Sequence, residues 1–372
     1  MRTEKKYWVW LSLILGASVE SDEIFSAYKD PTEIYKASEK ERLESGVFTA
    51  GQQRNFERVT IGDAEKIISQ CEENGWEIVT PDDLIYPAGL RMTSNFPLVL
   101  YVDGDISCLR GKVMIAVVGT RKPGIEGVNI THEICTDLAA AGAVVVSGGA
   151  RGIDSAAHEA ALYAGGKTVC VLGCGLGTKY LMENEAMRRE ISRSGAVVSE
   201  FPPFTPASRV TFPKRNRIIS GMSHALLVVE AGERSGSLIT AKSARTQNRT
   251  VFTIPGSVTT SAYTGANRLL NEGATAVTSA REILAPFSDM YPDRLNMELI
   301  GTIKYRDKSE EAAESIDPDT AKVYNCLGKD PVHFDDIIAA TGLSQTKVVM
   351  ALMQLEIAEL VIETESKKYI LK

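Results

Sequence analysis

Between residues 113 and 254 short apolar runs recur, rich in valine, isoleucine and leucine, with glycine and then a helix-period segment commonly following. They are Val113–Gly119, Ala143–Ser147, Thr168–Leu172, Ala196–Ser199, Ala225–Val229 and Val251–Ile254. A strand that is apolar on both sides has no face for water, so it belongs in a parallel sheet covered by helices on both faces. Pro97–Val102 reads as one more strand ahead of them. The expected fold is α/β: an extended, Rossmann-like, doubly wound and mostly parallel sheet, over residues 91–287.

The flanks read differently. Residues 1–90 form a small helical domain, with helices at Asp22–Tyr28, Pro31–Ala37 and Asp63–Asn74 and with Asp22 and Asp63 as candidate caps. Lys5 and Lys6 before the apolar Tyr7–Ala17 superficially match a secretory signal. That stretch is too short to cross a bilayer, and it is read as an amphipathic helix with Trp8, Leu11 and Leu15 on one face. Residues 288–315, including the charged run Asp307–Glu314, read as a linker. Residues 316–372 then supply three helices (Pro318–Leu327, Phe334–Thr341, Ser344–Glu359) and two short strands within Leu360–Leu371, the order of a winged helix. The six cysteines form no Cys-x-x-Cys pair and suit reduced thiols in a cytoplasmic chain with no membrane role.

In an open parallel sheet ligands bind beyond the carboxyl ends of the strands, so the strand-to-helix turns carry the functional information. Four of them hold glycine: Val118–Gly124, Ser147–Asp154, Gly173–Gly177 and Ser235–Thr240. The first lacks the G-x-G-x-x-G fingerprint, and the second strand ends in Ser147 instead of a ribose-binding acid, which argues against a dinucleotide. Ile125-Glu126 stands where a P-loop needs Lys-Ser/Thr, which argues against ATP hydrolysis. No cofactor is expected. Gly173-Cys174-Gly175 reads as a tight turn.

The chain carries a net charge of -7, yet Phe201–Thr260 holds eight cations (Arg209, Lys214, Arg215, Arg217, Arg234, Lys242, Arg245, Arg249) against Glu230 and Glu233. A local positive field on an acidic body suits a polyanion. The densest part, Phe212-Pro213-Lys214-Arg215-Asn216-Arg217, is placed just before a short apolar helix. Asn216 and Ser235 are candidate contacts to bases or phosphates. Phe201, Phe204 and Phe212 are read as loop anchors first and stacking faces second. Catalytic candidates are sparse: Asp154 and His158 are four residues apart but read as a structural pair, Glu200 and Glu230 end two strands, and His132, His224 and His333 read as structural. The tail from Ile316 carries nine acids and six bases, and its Ser344–Glu359 helix has one cation, Lys347. That is poor in charge for a major-groove reader, so the tail is read as a protein-contact module.

The segments Val117-Val118-Gly119-Thr120-Arg121, Ser147-Gly148-Gly149-Ala150-Arg151-Gly152-Ile153-Asp154 with His158, Phe212 through Gly221, and Glu230-Ala231 with Ser235 through Ala241, together with Pro255-Gly256, Gly265-Ala266-Asn267 and Gly273-Ala274, resemble the DNA-processing protein A (DprA/Smf) family over about Phe96–Phe287. Gly124, Glu126, Gly177 and Leu181 depart from its usual residues. The resemblance implies a non-enzymatic protein of natural transformation and recombination that binds single-stranded DNA, shields it, and loads the RecA recombinase while displacing single-strand-binding protein. It also implies a homodimer, a SAM-like helical N-terminal domain and a C-terminal winged helix. It places Arg121, Lys214, Arg215 and Arg217 on the DNA. The full candidate set is Arg121, Lys122, Ser147, Gly148, Gly149, Arg151, Phe212, Lys214, Arg215, Asn216, Arg217, Ser235, Gly236 and Lys242. The rival reading is an enzyme like the nucleoside monophosphate phosphoribohydrolases. Aligning that motif leaves Thr240 where its catalytic Glu belongs, so only Glu200 or Glu230 remain as bases.

Overall fold

In the computed structural model, β3 (Met114–Val118) is central, and the chain winds outward from it twice. The described residues are 3–17, 19–306, 317–328, 330–357, 360–364 and 367–371, in two units, Met1–Lys304 and Tyr305–Lys372. The other strands of the large sheet are β1 (Glu77–Val79), β2 (Leu100–Gly104), β4 (Val144–Ser147), β5 (Thr168–Leu172), β6 (Ala196–Ser199), β7 (Ala225–Val228), β8 (Thr250–Thr253) and β9 (Thr275–Ala276). Their order is β1-β2-β6-β5-β4-β3-β7-β8-β9. β3 to β9 are parallel, while β2 pairs antiparallel with β6, and β1 antiparallel with β2. The winding reverses between β3 and β7, which creates a crevice at their carboxyl ends.

The apolar runs behave as their composition requires. Ala116, Val118, Val146 and Val228 on one face pack against Ile218 and Ile219 of α11 (Thr211–Met222) and Ala241 and Ala244 of α12 (Ser237–Thr246). Ile115 and Val117 alternate to the other face and are also buried, on the side where α8 (Ile125–Ala140) and α9 (Ile153–Tyr163) pack together. β2 starts three residues later than the sequence suggests. Pro97 cannot donate to a ladder, and its carbonyl accepts from the Tyr86 hydroxyl at 2.7 Å. β1 and β9 carry too few apolar residues to have been legible.

The first six helices are α1 (Lys5–Leu15), α2 (Ser21–Ala27), α3 (Pro31–Lys36), α4 (Glu39–Ser45), α5 (Ala50–Arg58) and α6 (Ile61–Asn74). Thr60 is the cap of α6, and Asp63 is its reciprocal partner three residues on, accepting from the Thr60 N–H at 3.0 Å. Asp22 likewise lies inside the first turn of α2 and does not cap it. α1 is buried on nearly every side, with Trp8, Val9, Trp10, Leu11, Ile14 and Leu15 in a core that runs through Ile34 and Cys71 to Ile78 and Tyr101 of the sheet. The expected boundary at residue 90 therefore marks no break in packing. The expected linker also shortens: α14 (Ala280–Met290) is followed by a segment whose Asn296 N–H donates to Ala141 at 2.9 Å and Gly301 N–H to Asp137 at 2.7 Å. The charged run 307–314 lies outside the described residues.

The second unit has helices Pro318–Asn325, Phe334–Thr341 and Gln345–Ile357 and an antiparallel sheet β10-β12-β11 from β10 (Val332–His333), β11 (Val361–Thr364) and β12 (Lys368–Leu371). Val323, Ile337, Val348, Leu352 and Leu355 form its core. This is a winged helix, with β10 as the strand the sequence did not reveal. Among the described residues no helix is long and apolar enough to cross a membrane.

Candidate nucleic-acid interface

At the switch point the turns after β3, β4 and β7 lock together through backbone and carboxylate contacts. The Thr120 N–H donates to the Glu230 carbonyl at 2.7 Å, the Ile153 N–H to the Thr120 carbonyl at 3.2 Å, and the Gly124 N–H to the Glu230 carboxylate at 3.1 Å. A side chain at Gly119 would meet Ile153, and one at Gly152, where φ is +81°, would lie 2.5 Å from the Thr120 carbonyl. Glu230 thus serves the entry to α8, and burial raises its pKa.

The Phe212–Arg217 block does not precede a helix as expected. It forms the first two turns of α11, because Ser208 accepts from the Thr211 N–H at 3.2 Å and Pro213 falls in the first turn, where its missing N–H costs little. Packing of α11 against the sheet then buries two of the cations. Arg215 and Arg217 are each 4% exposed. Arg215 enters the sheet edge and donates to the Gly148 carbonyl at 2.7 Å and to the Val171 carbonyl. A side chain at Gly148 would lie 2.6 Å from that guanidinium. Arg217 pairs with Glu200 in the interior and donates to the Asn95 carbonyl at 2.5 Å. Both arginines were expected on DNA; the structure gives them internal partners instead, since a buried guanidinium must spend its donors where it sits.

Ser147, Gly148 and Gly149 are also corrected from contacts to scaffold. All three are buried, Ser147 donates to the Val117 carbonyl at 2.6 Å, and Gly149 (φ +64°) sits against Cys170. Arg151 is exposed but paired with Glu183 at 2.5 Å. Arg245 pairs with Glu272, and Arg249 donates to the carbonyls of Gly89 and Gly221.

What remains is a cleft of about 790 Å³ lined by Arg121, Arg209, Phe212, Asn216, Arg234 and the Ser235–Ser237 turn, among others. Arg209 and Arg234, exposed on its walls, were counted in the basic block but not chosen, because neither stands in a recognisable motif. Arg121, Arg209 and Arg234 have no ion-pair partner among the described residues, and the same holds for exposed Lys122 and Lys242 and half-buried Lys214. Lys122 and Lys214 adjoin lining residues in the chain, whereas Lys242 lies further along α12 and is not in the lining. Phe212 is half-buried with the Arg121 guanidinium over its ring; Phe201 is core and Phe204 is exposed. Asn216 and Ser235 do line the cleft, with Ser235 hydrogen bonded to Ser237 at 2.8 Å.

Of the catalytic candidates, Glu200 is held by Arg217 and Glu230 by the Gly124 N–H. His158 is fully buried, with Nδ1 2.7 Å from the Thr168 hydroxyl, and burial lowers its pKa to about 3. Asp154 faces the cleft, 8% exposed, its pKa raised by burial. Among the described residues no trio of His, Cys, Asp or Glu could hold a metal, and all six cysteines are free thiols. In the second unit Lys347 pairs with Asp319 at 2.6 Å, and its helix exposes Val349, Met350, Met353 and Ile357.

Fold and site together define a doubly wound α/β protein with a cationic cleft at the switch point and an appended winged helix. The sequence profile of DNA recombination-mediator protein A matches residues 77–288, and that of the DprA winged helix domain matches 307–364. The chain belongs to the DNA-processing protein A (DprA/Smf) family. It is 33% identical to Protein Smf of Synechocystis over 82% of each chain, and 39% identical to Protein Smf of Escherichia coli over 59% of each chain. Among solved structures it is similar to DNA processing protein A of Streptococcus pneumoniae (TM-score 0.66, 30% identity, 77% of this chain and 98% of that one). It is also similar to DNA processing protein A of Helicobacter pylori, described for its single-stranded DNA binding mode (TM-score 0.53, 28% identity, 58% and 97%).

Proposed function

We propose that this chain is a single-stranded DNA-binding recombination mediator that holds the strand in the switch-point cleft without catalysis. The observation that carries the reading is the trio of unpaired guanidiniums, Arg121, Arg209 and Arg234, around glycine-rich turns and the Phe212 ring. Guanidiniums with free donors neutralise phosphates, and an aromatic face takes an unpaired base, a combination that favours single strands over duplex. The solved H. pylori relative supports the same reading. Within the cytoplasm, a homodimer would shield incoming strands, displace single-strand-binding protein and pass the strand to RecA, as in natural transformation. The third helix of the winged helix, with its Lys347 paired and with Val349, Met350, Met353 and Ile357 exposed, serves a protein partner.

Fluorescence anisotropy of a labelled oligonucleotide tests the site. Arg121→Ala and Lys214→Ala are expected to weaken binding and flatten its salt dependence, and unchanged affinity in both variants removes the site. A gel shift of single and double strands, with and without RecA, tests mediation. Release of free base from AMP that disappears in Glu230→Gln or Asp154→Asn would establish the hydrolase reading instead.

A further inference from the structure

We propose that a second cleft, at the amino-terminal edge of the same sheet, binds a nucleoside monophosphate. It has a volume of about 450 Å³ and lies among Arg110, Lys112, His224, Arg249, Tyr291 and Arg294, over an apolar floor that includes Leu109 and Met114. Met114 and His224 stand at the starts of β3 and β7, whereas the strand cleft lies past their ends. The length of β3 alone separates the two by about 13 Å.

Four cations line this cleft and no carboxylate does. Arg110, Lys112 and Arg294 are exposed and form no ion pair among the described residues. Like charges gathered without a counter-charge repel one another, and a bound anion relieves that repulsion. Arg249 gives one terminal nitrogen to the carbonyls of Gly89 and Gly221 at 2.7 and 3.1 Å, but its Nε is buried without a hydrogen-bond partner. His224 Nδ1 accepts from the Met114 N–H at 3.1 Å, so the ring's proton sits on Nε2, adding a donor to the lining. These groups suit a phosphate.

The rest of the cleft suits a base. Leu84 and Met92 expose apolar side chains in the lining, and Tyr291, with the Arg294 guanidinium 4.5 Å from its centroid, meets the His224 ring edge to face at 5.5 Å. The volume falls in the range of small-molecule pockets and far exceeds what a bare phosphate fills. The inference is independent of strand binding in the first cleft.

The test is titration of the full chain with AMP, followed by the His224 imidazole resonance in histidine-labelled protein and by Tm. A saturable His224 shift with His158 unmoved is expected, together with a rise in Tm. Arg110→Glu with Arg294→Glu is expected to weaken AMP binding at least tenfold while leaving the affinity for single-stranded DNA unchanged; Lys112→Glu is expected to weaken AMP binding in the same direction. Arg121→Ala with Lys214→Ala is expected to leave AMP binding intact. The proposal is overturned by any of four results: no saturation, AMP binding unaffected by the double charge reversal, AMP binding lost with Arg121 and Lys214, or inorganic phosphate binding as tightly as AMP.

Discussion

The Arg121 guanidinium carbon lies 5.2 Å from the centroid of the Phe212 ring, joining the turn after β3 to the first turn of α11. The charge and the aromatic surface come from positions ninety-one residues apart and meet at the mouth of the cleft. A cation held over a ring face keeps its outward donors free for phosphate.

This pairing separates two contributions to binding. Arg121→Ala is expected to lower the slope of log K against log salt by about 0.7, the value for one phosphate on a single strand. Phe212→Ala is expected to lose about 1–3 kcal/mol of stacking with that slope unchanged. Anisotropy at four or five salt concentrations distinguishes them.

Arg217→Ala is expected to act on stability. Its removal breaks the buried ion pair with Glu200 and the bond to the Asn95 carbonyl, a loss of about 3–5 kcal/mol. Gly148→Ala should act in the same direction by pushing the Arg215 guanidinium off its carbonyls. Urea unfolding should show both losses, while the salt slope of strand binding in the folded fraction stays at the wild-type value.

His158 makes the fold acid-sensitive. The Thr168 hydroxyl donates to the Val145 carbonyl at 2.8 Å, so it accepts from His158 Nδ1–H, and His158 Nε2 is buried without a hydrogen-bond partner. Burial takes the pKa from 6.5 to about 3, so the unfolded chain binds the proton first. Stability from this group is complete above about pH 6.5 and falls by about 1.4 kcal/mol per unit below it, until about pH 3. Between pH 6.5 and 5, wild type should lose about 2 kcal/mol more than His158→Asn in denaturant titrations.

Met350→Glu with Met353→Glu tests the winged helix. Both residues are exposed, so Tm should hold to within about 0.5 kcal/mol of stability. Affinity for single strands and duplex should not fall, since this helix offers its apolar side and not its one paired lysine. A drop of tenfold in duplex affinity would mark the helix as a groove reader.

Much of the architecture was legible because burial on two faces leaves a composition that little else explains. Ala143–Ser147 and Thr168–Leu172 read as strands covered on both faces for that reason, and the glycine turns that follow mark the carboxyl edge. Arg121, Phe212, Asn216 and Ser235 line the cleft, Arg121 and Ser235 from turns at that edge and Phe212 and Asn216 from the first two turns of α11. β1 and β9 escaped notice because two or three residues carry no periodicity.

By itself, the sequence determined the layered α/β class, the edge at which a ligand meets the sheet, and the excess of positive charge near it. Only the tertiary structure decided which cations are free. A sequence counts charges, but packing decides which are spent: Arg215 and Arg217 lie on α11 against the sheet and turn to carbonyls and Glu200, while Arg121, Arg209 and Arg234 stand in exposed turns with no ion-pair partner among the described residues.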